Sequence, residues 1–197
     1  MVAISEACRA GRVPGEVAIV LSDADGAGIL TRATERGIRA LFIPPGKFRT
    51  KLDEAAERAY IAALQQAQVD LIVLAGFMRI LKGDFLRAFP ERVVNIHPAL
   101  LPSFGGQGMF GRRVHEAVLS HGCKVSGCTV HFVDDAYDNG PIILQRSCPV
   151  LDDDTPETLA ARVFEEEKIA YPQAIRLFQE GKLKIDGRRV RIGKPDA

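Results

Sequence analysis

The sequence predicts an α/β fold in which a mostly parallel sheet carries helices on both faces. Residues 40–43 and 70–75 form short apolar runs, which are typical of strands buried on both sides. Between them, residues 50–68 place apolar side chains at helical spacing. Because strands and helices alternate in this way, neighbouring strands are expected to pair in parallel.

The first part of the chain fits the same alternation. Residues 2–9 have an amphipathic pattern that closes at Gly11, which predicts a helix. Residues 16–21 are apolar and predict a strand, and the helix predicted over residues 26–36 ends at Gly37.

The middle of the chain supplies further strands. A short helix ending at Phe89 leads into a β-branched strand at residues 93–97, which two prolines terminate. A helix is predicted over residues 112–121. Residues 124–133 and 142–150 have the period near two of strands, and the acidic segment between them is either a long hairpin or a looped crossover.

The last elements are a long helix and a hairpin. Pro156 lies at the first turn of a helix that runs to Gln179, and residues 182–192 form a hairpin that turns at an Asp-Gly pair. The sequence contains no linker and no internal repeat. Residues 1–197 are therefore expected to form a single domain.

The composition excludes several classes of function. Lys and Arg number 26 against 25 Asp and Glu, so no basic field is available for nucleic acid or anionic lipid. No apolar run approaches the roughly 20 residues that span a bilayer, and a secretory signal pattern is lacking, so a cytoplasmic location is expected. The four cysteines form no C-x-x-C pair and no zinc-type spacing, so no metal site is expected.

Asn95 and His97 are two residues apart on a predicted strand, so their side chains leave the same face. They are either a hydrogen-bonded structural pair or a functional pair. A functional role is chemically reasonable because imidazole transfers protons near neutral pH and an amide can donate a hydrogen bond to an oxyanion. Asp138 is the third candidate, and the glycine-rich residues 103–111 predict a lid beside the site. No Ser or Cys stands as an obvious nucleophile. The residues alone thus predict an acid/base site at which a substrate group attacks directly.

Four motifs carry a resemblance to a known family. AGFMRIL (75–81), NIHPALLP (95–102), SGCTVHFV (126–133) and DNGPII (138–143) resemble the folate-dependent formyltransferases over nearly the whole chain. The resemblance implies a Rossmann-like formyltransferase fold and transfer of a formyl group from 10-formyltetrahydrofolate to the amine of glycinamide ribonucleotide in de novo purine synthesis. The implied partners are these small molecules, without a metal, a nucleic acid or a membrane, and the protein is a monomer or a homodimer.

The resemblance also implies a role for individual residues. Asn95 would donate to the tetrahedral oxyanion, His97 would assist as a donor or general acid, and Asp138 would pair with His97 and help to relay the amine proton. Glu167 matches a carboxylate that contacts the nucleotide ribose. Lys51 would face the negatively charged glutamate tail of the folate. Two loop segments would hold the rest of the molecule: Phe77, Met78, Arg79, Ile80 and Leu81 in the first, and Val133 and Asp134 in the second.

Departures from the family pattern leave alternatives open. Relatives begin with an apolar strand and a turn that holds phosphate, whereas the match here starts within the first helix. The strand and phosphate loop are therefore expected to be absent from this sequence, which leaves two unpaired ladder edges. Either the protein begins further upstream, or it is a truncated form with weak ribonucleotide binding. The alternative functions are hydrolysis of formyltetrahydrofolate and a non-catalytic folate-binding remnant. His115 and His131 are interpreted as structural residues.

Overall fold

The structure, a computed structural model that describes residues 1–193, alternates strands and helices as predicted. The strands are β1 (Val20–Ser22), β2 (Ala40–Phe42), β3 (Ile72–Leu74), β4 (Val93–His97), β5 (Val125–Phe132), β6 (Ile142–Pro149), β7 (Leu183–Asp186) and β8 (Arg189–Ile192). The helices are α1 (Val2–Arg9), α2 (Gly28–Thr34), α3 (Glu54–Gln66), α4 (Asp84–Ala88), α5 (Arg112–Ser120) and α6 (Pro156–Gln179). The predicted α/β class is confirmed.

The strands of the first half of the chain pair in parallel, and those of the second half pair mostly antiparallel, with one parallel contact between β6 and β8. β1 pairs with β2 in parallel, as β3 does with β4, whereas β4, β5 and β6 pair antiparallel and β7 and β8 form the predicted hairpin. The prediction of a mostly parallel sheet thus holds for the first four strands. The segment between β5 and β6 is a hairpin connection, which reverses the chain. Gly140 permits its close approach, because a Cβ there would lie 1.8 Å from the carbonyl oxygen of Phe132.

A cavity separates β1 from β3, and no ladder of backbone hydrogen bonds joins these two strands. They belong to separate sheets of order β1-β2 and β3-β4-β5-β6-β8-β7, and both line a cavity of about 700 Å³. Side chains of α1, α3 and α6, such as Ile4, Tyr60 and Ile175, complete its walls. Each of the two strands is three residues long, shorter than predicted, because within residues 1–193 each has a partner on one edge only.

Backbone amides that face this cavity are expected to exchange quickly with solvent. The amides of Val20 and Ile72 donate to the carbonyl oxygens of Arg39 and Arg92, the residues just before β2 and β4. By strand alternation, the amides of Leu21 and Val73 therefore point into the cavity. Hydrogen exchange followed by NMR should show these two amides exchanging at least about tenfold faster than that of Val94, which lies between two strands. Equal protection would contradict the open edges.

α6 is hydrogen-bonded to β3 and β4, the two strands that lead into the polar motifs. Thr155 caps the helix and forms a capping box with Thr158. The hydroxyl of Tyr171 lies 2.6 Å from the carbonyl oxygen of Leu74 and 3.0 Å from that of Val94, so it fixes the helix against β3 and β4.

Among residues 1–193, none of the helices has the length and apolar character to cross a membrane.

Candidate active site

The end of β4 delivers the two polar side chains that the sequence singled out. Asn95 and His97 lie on β4 and pair with His131 and Thr129 on the antiparallel β5. Side chains directly opposite each other in such a pair share a face of the sheet. His97 is only 3% exposed, so its ring nitrogens require hydrogen-bond partners within the protein.

Asp138 lies beside the His97 ring. Its Oδ2 is 3.4 Å from His97 Nδ1, and its Oδ1 is 3.9 Å from His131 Nε2. Asn95 Nδ2 is 3.4 Å from the same nitrogen of His131. The structure therefore brings the three predicted side chains together and adds His131, whose place opposite Asn95 follows from strand register and not from sequence spacing.

The glycine-rich loop, residues 103–111, covers this cluster. His97 Nε2 donates to the carbonyl oxygen of Phe104 at 2.7 Å, and the amide of Gly106 donates to Asp138 Oδ2 at 3.0 Å. Phe104 has a φ of 54°, a left-handed conformation that is strained for an aromatic residue. Both nitrogens of His97 face protein groups in this conformation, so the loop has to move before a substrate reaches Nε2.

Thr129 holds the turn that follows His97. Its hydroxyl donates to the carbonyl oxygen of Ala99 at 2.6 Å and accepts from the amide of Leu101 at 3.0 Å and from Gln145 Nε2 at 2.9 Å. Thr129 is completely buried, so these bonds fix the path of the chain beneath the site. Nothing in the sequence marked this role, because threonine is common in strands.

The predicted folate-side segment, residues 77–81, follows β3. Lys51 forms a parallel bridge with Ile80, which places this lysine beside the segment. Leu81 is 3% exposed and packs in the core, whereas Met78 is 54% exposed. The backbone and the exposed side chains are therefore the parts of the segment that a ligand meets first.

Arg79 uses its guanidinium within the protein. Its Nε lies 2.6 Å from Asp23 Oδ2, and both side chains are mostly buried. Its Nη1 donates to the carbonyl oxygens of Phe48 and, at 2.9 Å, of Arg49. Arg79 therefore joins the loop after β1 to the segment before α3, and contact of its guanidinium with a ligand would break these bonds.

Val133 and Asp134 shape the loop that carries Asp138. The amide of Val133 donates to the carbonyl oxygen of Val93 at 2.9 Å. Asp134 accepts from the amide of Ala136 at 3.0 Å and from the side chain of Asn139 at 3.1 Å. The carboxylate of Asp134 is thus engaged in closing the loop.

Glu167 lies on α6 at a separate pocket. With Pro98, Gly111 and His115 it lines a cavity of about 380 Å³. Burial raises the pKa of Glu167 to about 7 and lowers the pKa of His115. Since Pro98 directly follows His97 in the chain, this pocket adjoins the polar cluster.

Glu167→Gln is expected to stabilise the protein at neutral and higher pH. The folded-state pKa of about 7 lies above the ordinary value of 4.5, so the associated stability is present below 4.5 and is lost as the pH rises through 7. Glutamine removes the cost of burying the charge and should raise the free energy of unfolding at about pH 8 by about 1–3 kcal/mol. Urea unfolding across this pH range measures the effect. Glu165→Gln, exposed on the same helix, is the matched control and should change little.

Comparisons with known proteins agree with the geometry. A family model described as formyl transferase matches residues 1–175. The chloroplastic phosphoribosylglycinamide formyltransferase of Arabidopsis thaliana is 39% identical over 181 residues, which are 92% of this chain and 62% of the plant protein. The chain thus spans less than two thirds of that relative. The phosphoribosylglycinamide formyltransferase of Escherichia coli K12 is 36% identical over 195 residues, which cover 95% of this chain and 89% of the bacterial protein.

Solved structures show the same relationship. Glycinamide ribonucleotide transformylase 1 from Symbiobacterium toebii is 49% identical and superposes with a TM-score of 0.90, covering 98% of this chain and 87% of that one. A formyltetrahydrofolate deformylase from Pseudomonas syringae shares the fold with a TM-score of 0.86 at 23% identity, covering 98% of this chain and 61% of its own. Since the family match extends over most of its length, the chain belongs to the formyl transferase family.

Proposed function

We propose that this chain transfers the formyl group of 10-formyltetrahydrofolate to the primary amine of glycinamide ribonucleotide, a step of purine synthesis. The observation that carries the proposal is the cluster of Asn95, His97 and Asp138 at the end of β4. It offers an amide donor, an imidazole and a carboxylate side by side. Family membership supports formyl chemistry, and the names of the relatives support this acceptor.

In the proposed reaction, the amine nitrogen attacks the formyl carbon, a C–N bond forms and the carbonyl oxygen becomes an oxyanion. Asn95 Nδ2 donates to this oxygen, and His97 donates from Nε2 once Phe104 has moved away. The surplus proton of the amine passes to Asp138. The carbonyl group then re-forms as the C–N bond to the folate breaks, and Asp138 passes the proton on to the folate nitrogen, which regenerates the carboxylate. Each donor aimed at the oxyanion contributes on the order of 3 kcal/mol of transition-state stabilisation.

The folate is proposed to lie against residues 77–81 and the loop after Val133. Backbone groups of the segment would hydrogen-bond the pterin, and the exposed Met78 would cover its apolar face. Lys51, whose Nζ lies 4.4 Å from the ring centre of Phe48, would face the negatively charged glutamate tail.

The ribonucleotide is proposed to place its ribose in the pocket beside Glu167. A carboxylate can accept hydrogen bonds from two ribose hydroxyls at once. Because this pocket adjoins Pro98, a ribose bound there would direct the glycine amine toward His97.

An assay with 10-formyltetrahydrofolate, in the presence and absence of glycinamide ribonucleotide, tests the proposal. Formation of the formylated ribonucleotide is the expected result. Release of formate without the ribonucleotide would instead indicate hydrolysis, and calorimetric binding of a folate analogue with neither product would indicate a folate-binding protein.

We also propose that residues 1–197 act as one domain, in the cytoplasm, as a monomer or a homodimer with small-molecule substrates. The formal net charge of +1 supports the absence of a nucleic-acid partner. A single cooperative unfolding transition would support the single domain, and light scattering coupled to size-exclusion chromatography measures the oligomeric state.

A further inference from the structure

His131, a residue that the proposed reaction does not use, lies against the amide of Asn95. It is 2% exposed and stands on β5 directly opposite Asn95. Side chains in this relationship are neighbours by virtue of the ladder itself. Their contact therefore does not depend on the position of the loop at residues 103–111.

Hydrogen bonds fix the tautomer of His131. Its Nδ1 lies 2.7 Å from the carbonyl oxygen of Phe132, which can only accept, so Nδ1 carries the proton. Burial lowers the pKa of His131 and keeps the ring neutral. Nε2 is consequently an unprotonated acceptor.

This acceptor faces the NH₂ group of Asn95. The distance from His131 Nε2 to Asn95 Nδ2 is 3.4 Å, so one amide hydrogen is directed at the ring and the other remains free for a ligand. Turning the amide over would bring its carbonyl oxygen against the lone pair of Nε2. Asp138 Oδ1, at 3.9 Å from Nε2, is too distant for a hydrogen bond and offers no alternative donor.

We propose that His131 is a positioning residue whose unprotonated Nε2 sets which end of the Asn95 amide is presented to the reacting carbonyl group. The inference rests on the proposed function, in which Asn95 donates to the oxyanion. The terminal torsion of an asparagine is broad and two-fold, so the amide needs an external partner to select one orientation. Without His131, part of the population would present a carbonyl oxygen to the developing negative charge and repel it.

Kinetics of His131 variants test the proposal. His131→Leu removes the acceptor and should lower kcat about tenfold, the factor that a hydrogen bond of about 1.4 kcal/mol represents, with KM for both substrates unchanged. His131→Gln, whose side-chain oxygen lies near the position of Nε2, should restore most of the rate. In an Asn95→Ala background, His131→Leu should cause no further loss, because His131 acts through Asn95. A second tenfold loss in the double variant, or an unchanged kcat in His131→Leu, would overturn the proposal.

NMR without substrate gives an independent readout. Nitrogen-15 spectra should show the His131 ring protonated at Nδ1 alone, and the side-chain amide signals of Asn95 should shift in His131→Leu. Ser126→Ala, at another buried polar residue of β5, is the matched control and should leave the Asn95 signals in place. If the wild-type chain transfers no formyl group, the proposed function fails, and these spectra still decide the positioning role. A proton on Nε2, or unchanged Asn95 signals in His131→Leu, would refute that role.

Discussion

His97→Ala is expected to lower kcat for formyl transfer by about 10³-fold while the affinity for a folate analogue changes by less than about threefold. The imidazole is the group between the carboxylate of Asp138 and the lid carbonyl of Phe104, so its loss removes both a donor and the partner of the carboxylate. The folate-side segment at residues 77–81 belongs to a different part of the chain and keeps its contacts. Steady-state kinetics and calorimetry with an unreactive folate analogue measure the two effects.

Ser126→Ala is the control for this variant. Ser126 is also buried and polar and also lies on the central strands, but none of the hydrogen bonds of the cluster involves it. Its kcat should stay within about twofold of the wild type. If His97→Ala retained most of its turnover while its folded state was intact by circular dichroism, His97 would have no catalytic role.

The local pattern of apolar and polar residues predicted where the strands and helices lie. Which strands pair with each other could be seen only in the structure. The period near two at residues 124–133 indicates a strand but does not say which strand lies beside it. The order β4-β5-β6, with antiparallel pairing, is a property of three segments together. The predicted strands at residues 16–21 and 70–75 shrink to three residues each for the same reason, because strand length depends on what lies across the edge.

The candidate site divides in the same way. Asn95 and His97 could be predicted because their spacing of two places them on one face of a strand. Asp138 was a third candidate from its acidic loop, its pairing with His97 was implied by the family resemblance, and the structure places it 3.4 Å from His97 Nδ1. Arg79 was assigned to the folate-side segment through the resemblance, but its partner Asp23 is remote in the sequence and no local pattern reveals that pair.

Asp138→Asn is expected to lower kcat by about 10²-fold, again with little change in folate affinity. Asparagine keeps a side-chain oxygen that can accept from the amide of Gly106, so the anchor of the loop is retained. What disappears is the negative charge beside His97 Nδ1 and the acceptor for the amine proton. The loss of rate therefore reports on charge and proton transfer and not on the closure of the loop.

Asp135→Asn supplies the matched control, because it makes the same change of charge in the same loop. The Asp135 carboxylate is exposed and accepts from the amide of Gly83 at 3.3 Å, away from the His97 ring. Its kcat should remain within about twofold of the wild type. A comparable loss of kcat in both variants would mean that the overall negative charge of the loop supports the rate, and not the contact of Asp138 with His97. Asp138→Ala tests the role of Asp138 in anchoring the loop. It removes the acceptor for the Gly106 amide as well as the charge, so it should raise KM, whereas Asp138→Asn should not.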